Sequence, residues 1–287
     1  MHFEDILSKI EELPTPDPIV QKIISVASDP NASAKELSEV IKLDASLTVR
    51  ILRLVNSAYY GLPRKIVALN EAIMILGFKT VRNIALSVFT YSSVLKGNKK
   101  SSINHMQLWK HFLGVAVGCE LLAQMTGYPN KEELFIAGLL HDIGKVALDY
   151  ISPDAFSAVA KLTENLGISF SQAEEKLNLP NHAMISGKMI EQWNLPEIVV
   201  QSAAGHHVPN NFADSVYSDV VAMVHISDFF INLMKHGNSY TYGGLKLSSF
   251  ALNILGIKPR FLTNYADKMK DKLKAAEEFM KIEQEVS

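Results

Sequence analysis

Apolar residues recur at helical spacing along almost the whole chain, and this periodicity limits its fold more than any other feature. After Asp44, a candidate N-cap, Leu47, Ile51, Leu54 and Val55 repeat at i, i+4, i+7 and i+8, which is one apolar helical face. Ser33 with Glu36 reads as a capping box that opens a helix carrying Leu37, Val40 and Ile41. The turn NSAYYGLPRK, with Gly61 and Pro63, breaks the helix begun at Asp44. Apolar helices are then expected around NEAIMILGF and TVRNIALSVFTYSSVL, which completes an N-terminal bundle over 1–95. The polar run KGNKKSSIN, 96–104, reads as a linker. Beyond it a helix over 105–126 is closed by Gly127 and Pro129, and LFIAGLLHDIGKVAL follows as another. Ser171 with Glu174 reads as a second capping box, with helices over 182–193, 196–205 and 217–235 after it. Residues 105–235 thus form a second helical lobe, and 236–287 an extension ending in a charged amphipathic helix that packs on the body. Only SYTYGGLKLSS, 239–249, hints at extended structure. The fold class is all-α, with two lobes.

Charge and cysteine content narrow the class of function. Lys plus Arg is 28 against 30 Asp plus Glu, a net charge of -2, with no basic stripe, so a nucleic-acid partner is not expected. The single Cys119 excludes a disulfide framework and a cysteine zinc site, and its apolar surroundings argue for an inert thiol. The opening, MHFEDILSKIEELPTPDP, is acidic and broken by proline, unlike a signal peptide. No apolar run reaches the ~18 residues of a membrane span, so no membrane association and a cytoplasmic location are expected.

Histidine is distributed unevenly. Seven of the nine lie between His105 and His225, while the first 104 residues hold only His2. His141 and Asp142 adjoin inside an apolar stretch, where an unpartnered imidazole and carboxylate would be costly and a metal ion would satisfy both. His111, His182, the pair His206 and His207, and Asp228 complete a candidate ligand set, spread over several helices as bundle metal sites require. Mixed nitrogen and oxygen ligands suit Fe, Mn, Zn or Ni. Such an ion lowers the pKa of a held water, the common route to phosphoester hydrolysis. Lys145, on the same face as His141, is a candidate to hold phosphate or to cap the helix C-terminus. If the chain is an enzyme, Asp142 and Lys145 are the candidate catalytic residues. His105, His225 and His236 read as core histidines bonded to carbonyls. In the first lobe, Asn56, Tyr59, Tyr60 and Arg64 stand around the NSAYYGLPRK turn, with packing of the aromatics between lobes preferred over a partner-docking loop. Arg50 and Arg53 read as surface or interlobe ion pairs.

The stretch from LPTPDPIVQKIISVASDP to NEAIMILGFKTVRNIALS, continued by LWKHFLGVAVGCELLA, LFIAGLLHDIGKVAL and NHAMISGKMIEQWNLPEIVVQSAAGHH, resembles the HDOD family, the HD-related output domains of bacterial signalling proteins. The resemblance covers about residues 10 to 208 and implies an HD-domain-like second lobe. It also implies a regulatory or interaction module of signal transduction with a signalling protein as partner. The ligand order from His111 to Asp228, and HDIGK with Lys145, further resemble the HD-GYP cyclic dinucleotide phosphodiesterases. That likeness stops after the paired histidines, where this chain reads HHVPNNFAD instead of the GYP signature, which argues against cyclic dinucleotide hydrolysis. Gln107, one turn before His111, is not an acid, which argues against an additional metal ion. Two functions follow as expectations. One is a signalling module with an HD-like pocket able to hold a divalent metal. The other is a metal-dependent phosphohydrolase acting on nucleotides or cyclic dinucleotides, with a nucleotide or phosphate ligand in that pocket.

Overall fold

The structure, a computed structural model, describes residues 9, 13–29, 31–57, 61–90, 94, 101 and 103–285. His2, Tyr59, Tyr60 and most of the expected linker lie outside the described residues. Helices make up the regular structure, and no strand occurs among the described residues. The hint of extended structure at 239–249 is not realised: Tyr240 and Gly244 take φ of 60° and 70°, which a strand does not accommodate. Contacts divide the chain into two compact units, one of residues 14–94 and 270–287, the other of 1–13 and 95–269. Residues 236–269, expected within a C-terminal extension, fall in the larger unit.

The smaller unit contains α1 (Pro18–Ser28), α2 (Ala34–Ile41), α3 (Ala45–Val55), α4 (Leu69–Leu76) and α5 (Phe78–Phe89). Its starts follow the capping logic: Ser33 Oγ accepts from Glu36 N at 3.1 Å and Asp44 Oδ1 from Leu47 N at 2.9 Å. Leu47, Ile51, Leu54 and Val55 are all buried, as their spacing required. Gly77, at φ 81°, turns the chain by 109° between α4 and α5. Asn56 pins the NSAYYGLPRK turn, since its amide donates to Ile66 O at 2.7 Å while its Oδ1 accepts from Ile66 N at 2.7 Å. Arg64 pairs with Glu71. Arg50 is buried, with Nε on Ser46 Oγ at 3.3 Å.

The larger unit is built around α6 (His105–Thr126), α7 (Lys131–Leu140), α8 (Ile143–Ile151), α9 (Pro153–Leu166), α10 (Phe170–Lys176), α11 (His182–Gln192), α12 (Glu197–Gly205) and α13 (Ser218–Leu233). A short α14 (Ser249–Ile254) follows, and the long α15 (Pro259–Glu285) passes from this unit into the other. On α15, Tyr265, Met269, Leu273 and Ala276 are buried along one stripe, so the charged tail is a packed helix. The glycines of the central motif allow close packing. A Cβ on Gly138 would meet Ala116 Cα at 2.9 Å, and one on Gly144 would overlap the backbone of His182 and Ser186. Gly144 N donates to Ser186 Oγ at 2.8 Å, which draws α8 onto α11. No single helix among the described residues is long and apolar enough to cross a membrane.

Cys119 lies fully buried on α6, and burial pushes its thiol up to about 12 despite a Ser227 contact that opposes the shift. A raised pKa keeps the reactive thiolate scarce across the working pH range. A disulfide reagent at pH 8 should therefore leave the native protein unmodified and label one thiol on unfolding. Native labelling at the rate of a free thiol would contradict this burial.

Candidate metal centre

Two helix ends place the adjacent pairs of the motif. The expected continuous helix through HDIGK breaks: α7 ends at Leu140, α8 begins at Ile143, and His141 and Asp142 occupy the junction. Helix ends leave carbonyls without intrahelical partners. One of these, Gly138 O, takes His141 Nδ1 at 2.7 Å, and at the end of α12 Ala203 O takes His206 Nδ1 at 2.7 Å. Each bond takes the proton on Nδ1, so each Nε2 faces inward, able to take a metal ion or, at His141, a second proton. Asp142 stands at the N-cap position of α8, yet its side chain makes no capping bond and also points into the site.

The α11 end is built differently. Asn181 caps α11 through Ala183 N at 2.8 Å, and His182, its first residue, donates its backbone N–H to Glu174 Oε1 at 3.0 Å. Glu174 Oε2 accepts from His182 Nδ1 at 2.8 Å, which orients the third Nε2 inward. Ligand histidines held by a carboxylate in this manner are a recurrent feature of metal sites. The sequence had assigned Glu174 to a capping box with Ser171. In the structure that box is formed two residues earlier by Ser169 and Gln172, which leaves Glu174 buried behind His182. The one available signal was its phase: Glu174 lies one residue from Ala173 and four from Phe170, on the buried face of α10.

The seven candidate ligands form two groups that share Asp142. One joins His111, His141, Asp142 and Asp228; the other joins Asp142, His182, His206 and His207. In the first, His111 Nε2 lies 3.4 Å from His141 Nε2, 3.6 Å from Asp142 Oδ2 and 3.2 Å from Asp228 Oδ1. His141 Nε2 lies 3.3 Å from Asp142 Oδ2 and 3.5 Å from Asp228 Oδ1. Separations of this size are the edges of a tetrahedron whose centre is about 2.0 to 2.2 Å from each corner, the range of metal bonds to imidazole and carboxylate. In the second group, Asp142 Oδ1 lies 3.1 Å from His182 Nε2 and 3.4 Å from His206 Nε2, and His207 Nε2 is 2.9 Å from His182 Nε2.

The charges and orphaned atoms fit a cation. Asp142, Asp228 and Glu174 are buried beside one buried cation, Lys145. Asp142 Oδ1 and His206 Nε2 are buried without a hydrogen-bond partner, two acceptors facing each other. Burial opposes charge at Asp142, but Lys145 and His141 outweigh it and hold the carboxyl well below its ordinary range. Burial likewise opposes protonation of His141, yet Asp142 and Asp228 prevail and lift it to about 9. In the absence of a cation, a proton on His141 answers the two carboxylates. His206 is pushed down to about 4 by burial and so keeps its lone pair.

The remaining predicted residues take definite places. Lys145 Nζ donates to Asp142 Oδ2 at 2.6 Å and to Ser239 O at 2.9 Å, above the Phe170 ring. It therefore orients Asp142. His225 is the carbonyl-bonded core histidine that was expected, with Nδ1 on His206 O at 2.7 Å and Nε2 accepting from Ser248 N at 3.0 Å. A cavity of about 630 Å³ reaches the centre at His207 and Asp228; Met184, Val208 and Phe229 form apolar wall, and Lys246 brings a cation. Its volume suits a ligand of nucleotide size.

The HDOD domain family matches residues 13–209. A solved HDOD domain protein of unknown function from Geobacter sulfurreducens is 27% identical with a TM-score of 0.72, covering 99% of this chain and 98% of its own. A proposed phosphohydrolase from Shewanella amazonensis SB2B, 22% identical, shares the fold with a TM-score of 0.74 over 98% of both chains. An uncharacterized protein of Treponema pallidum is 24% identical over 247 residues, 85% of this chain and 47% of the relative. The chain thus spans about half the length of that curated relative.

Proposed function

The chain belongs to the HDOD domain family, and from that premise we propose that it is a regulatory module of signal transduction whose larger unit holds a divalent metal at the Asp142 centre. The observation that carries this reading is the convergence of inward-turned imidazole nitrogens on two buried carboxylates, with Asp142 Oδ1 and His206 Nε2 left unpartnered. Fe, Mn, Zn and Ni all suit this nitrogen and oxygen donor set. A signalling protein is the partner the family membership suggests.

A second reading, hydrolysis of a phosphoester, is favoured by the cavity that meets the centre at His207 and Asp228. A bound divalent cation supplies Lewis acidity and lowers the pKa of a held water. The chain's own residues supply the rest. Lys145 and Glu174 fix the orientation of Asp142 and His182, and Lys246, which lines the cavity, offers charge to a phosphate.

Adding Mn²⁺, Fe²⁺ or Zn²⁺ to the chelated protein should raise its unfolding free energy by about 4 kcal/mol when free metal is a thousandfold above Kd. No shift with any of these ions would contradict a metal site. Turnover of bis(p-nitrophenyl) phosphate by the loaded protein, lost in His141→Ala, would establish the second reading. An inert loaded protein leaves the regulatory reading alone.

A further inference from the structure

The two carboxylates of the first ligand group are held by a ring of hydrogen bonds that closes through a loop. Lys145 Nζ binds Asp142 Oδ2 at 2.6 Å and Ser239 O at 2.9 Å. Ser239 Oγ donates to Asn232 Oδ1, and Asn232 Nδ2 donates to Asp228 Oδ1 at 2.7 Å and to Asp228 O at 3.0 Å. Asp142 and Asp228 lie far apart in sequence, on α8's junction and on α13, yet each receives one short donor, and Ser239 joins the two donors. Ser239 and Lys145 are both buried, so water has little access to the Lys145 end of the ring, while Asn232 is half-buried.

The loop bearing Ser239 is seated on the elements that carry the ligands. Asn238 N donates to Gln107 O at 2.9 Å, and Gly237, at φ 78°, lies so close to His111 that a Cβ would collide with the backbone there. Lys235 and Tyr240 hold left-handed backbone at φ 54° and 60°, and the Tyr240 hydroxyl accepts from Asn104 N at 2.6 Å. Phe170 N donates to Thr241 Oγ1 at 3.4 Å, and Tyr242 N to Ile168 O at 3.3 Å, tying the loop to the start of the helix that carries Glu174. Non-glycine residues with positive φ persist only where surrounding contacts enforce them.

We propose that Asn232 and Ser239 are positioning residues, and that the loop of residues 235–242 is a clasp that sets the spacing of Asp142 and Asp228 for a divalent cation. The proposal rests on the metal reading above. Neither residue belongs to the ligand groups: Asn232 acts through Asp228, and Ser239 through Asn232 and through Lys145, which holds Asp142. Outer partners of this kind typically contribute about 10 to 100-fold to metal affinity.

The test is a Zn²⁺ titration, with a competing chelator, of wild-type, Ser239→Ala, Ser239→Thr and Asn232→Ala proteins. Ser239→Ala removes one hydroxyl and leaves the carbonyl on Lys145. It should bind about 10-fold more weakly, Asn232→Ala up to about 100-fold, with Ser239→Thr restoring affinity. The Co²⁺-loaded Ser239→Ala protein should show shifted visible ligand-field bands, which general loss of stability would not produce. Cys119 protection reports that each variant is folded. Should Asn232→Ala not fold, the two Ser239 variants decide. Wild-type affinity and an unshifted spectrum in Ser239→Ala would overturn the clasp alone; a wild-type chain that takes up neither of these ions, nor Fe²⁺ or Mn²⁺, overturns it together with the metal site.

Discussion

Asp142→Ala should take bound divalent metal to background, because it removes one member of both candidate ligand groups at once, whereas His207→Ala and Asp228→Ala should each weaken one group. The asymmetry follows from geometry: Asp142 is the residue common to both groups, with Oδ2 toward His111 and His141 and Oδ1 toward His182 and His206. Its loss also strips Lys145 of its carboxylate partner at 1% exposure. Removing one member of a buried ion pair typically costs about 3 to 5 kcal/mol. Asp142→Asn, which keeps the shape and one acceptor oxygen, provides the folded comparison, and elemental analysis of both proteins supplies the readout. Retention of metal in Asp142→Asn and Asp142→Ala would show that the ion lies elsewhere.

Lys145→Met should destabilise the chelated protein by about 3 to 5 kcal/mol, because Asp142 is then a buried carboxylate without its cation. Saturating metal should recover much of that loss, since the ion brings positive charge to the same carboxylate. Urea unfolding with and without metal measures both quantities. An equal loss in the two conditions would mean that Lys145 acts independently of the centre. A loss under about 1 kcal/mol would place the pair among the weak ion pairs of exposed surfaces.

The residues that cluster around Asp142 are legible in the sequence because imidazoles and carboxylates stand out against apolar surroundings, and HDIGK and HH supply an order. The helices of the larger unit were legible from period and caps, with α6 spanning His105–Thr126 as the sequence indicated. What holds the ligands was harder to see. Glu174 matched the pattern of a capping box, and only the competing Ser169 and Gln172 pair, two residues earlier, releases it to bind His182. The break between His141 and Asp142 has no proline or glycine at the junction to mark it. Asn232 and Ser239 carry no local signal, because their bonds to Asp228 and to each other arise when a loop folds back on α13. Spacing gives the face of Lys145 and not its partner, which the structure shows to be Asp142.

One experiment decides whether the buried cluster around Asp142 is a metal site. Elemental analysis of untagged protein, purified without chelator and then equilibrated with Fe²⁺, Mn²⁺ or Zn²⁺, tests it most directly. At least one tightly held divalent ion per chain is expected, retained through gel filtration and absent from Asp142→Ala. Metal at background in the folded wild-type protein after all three ions would contradict it.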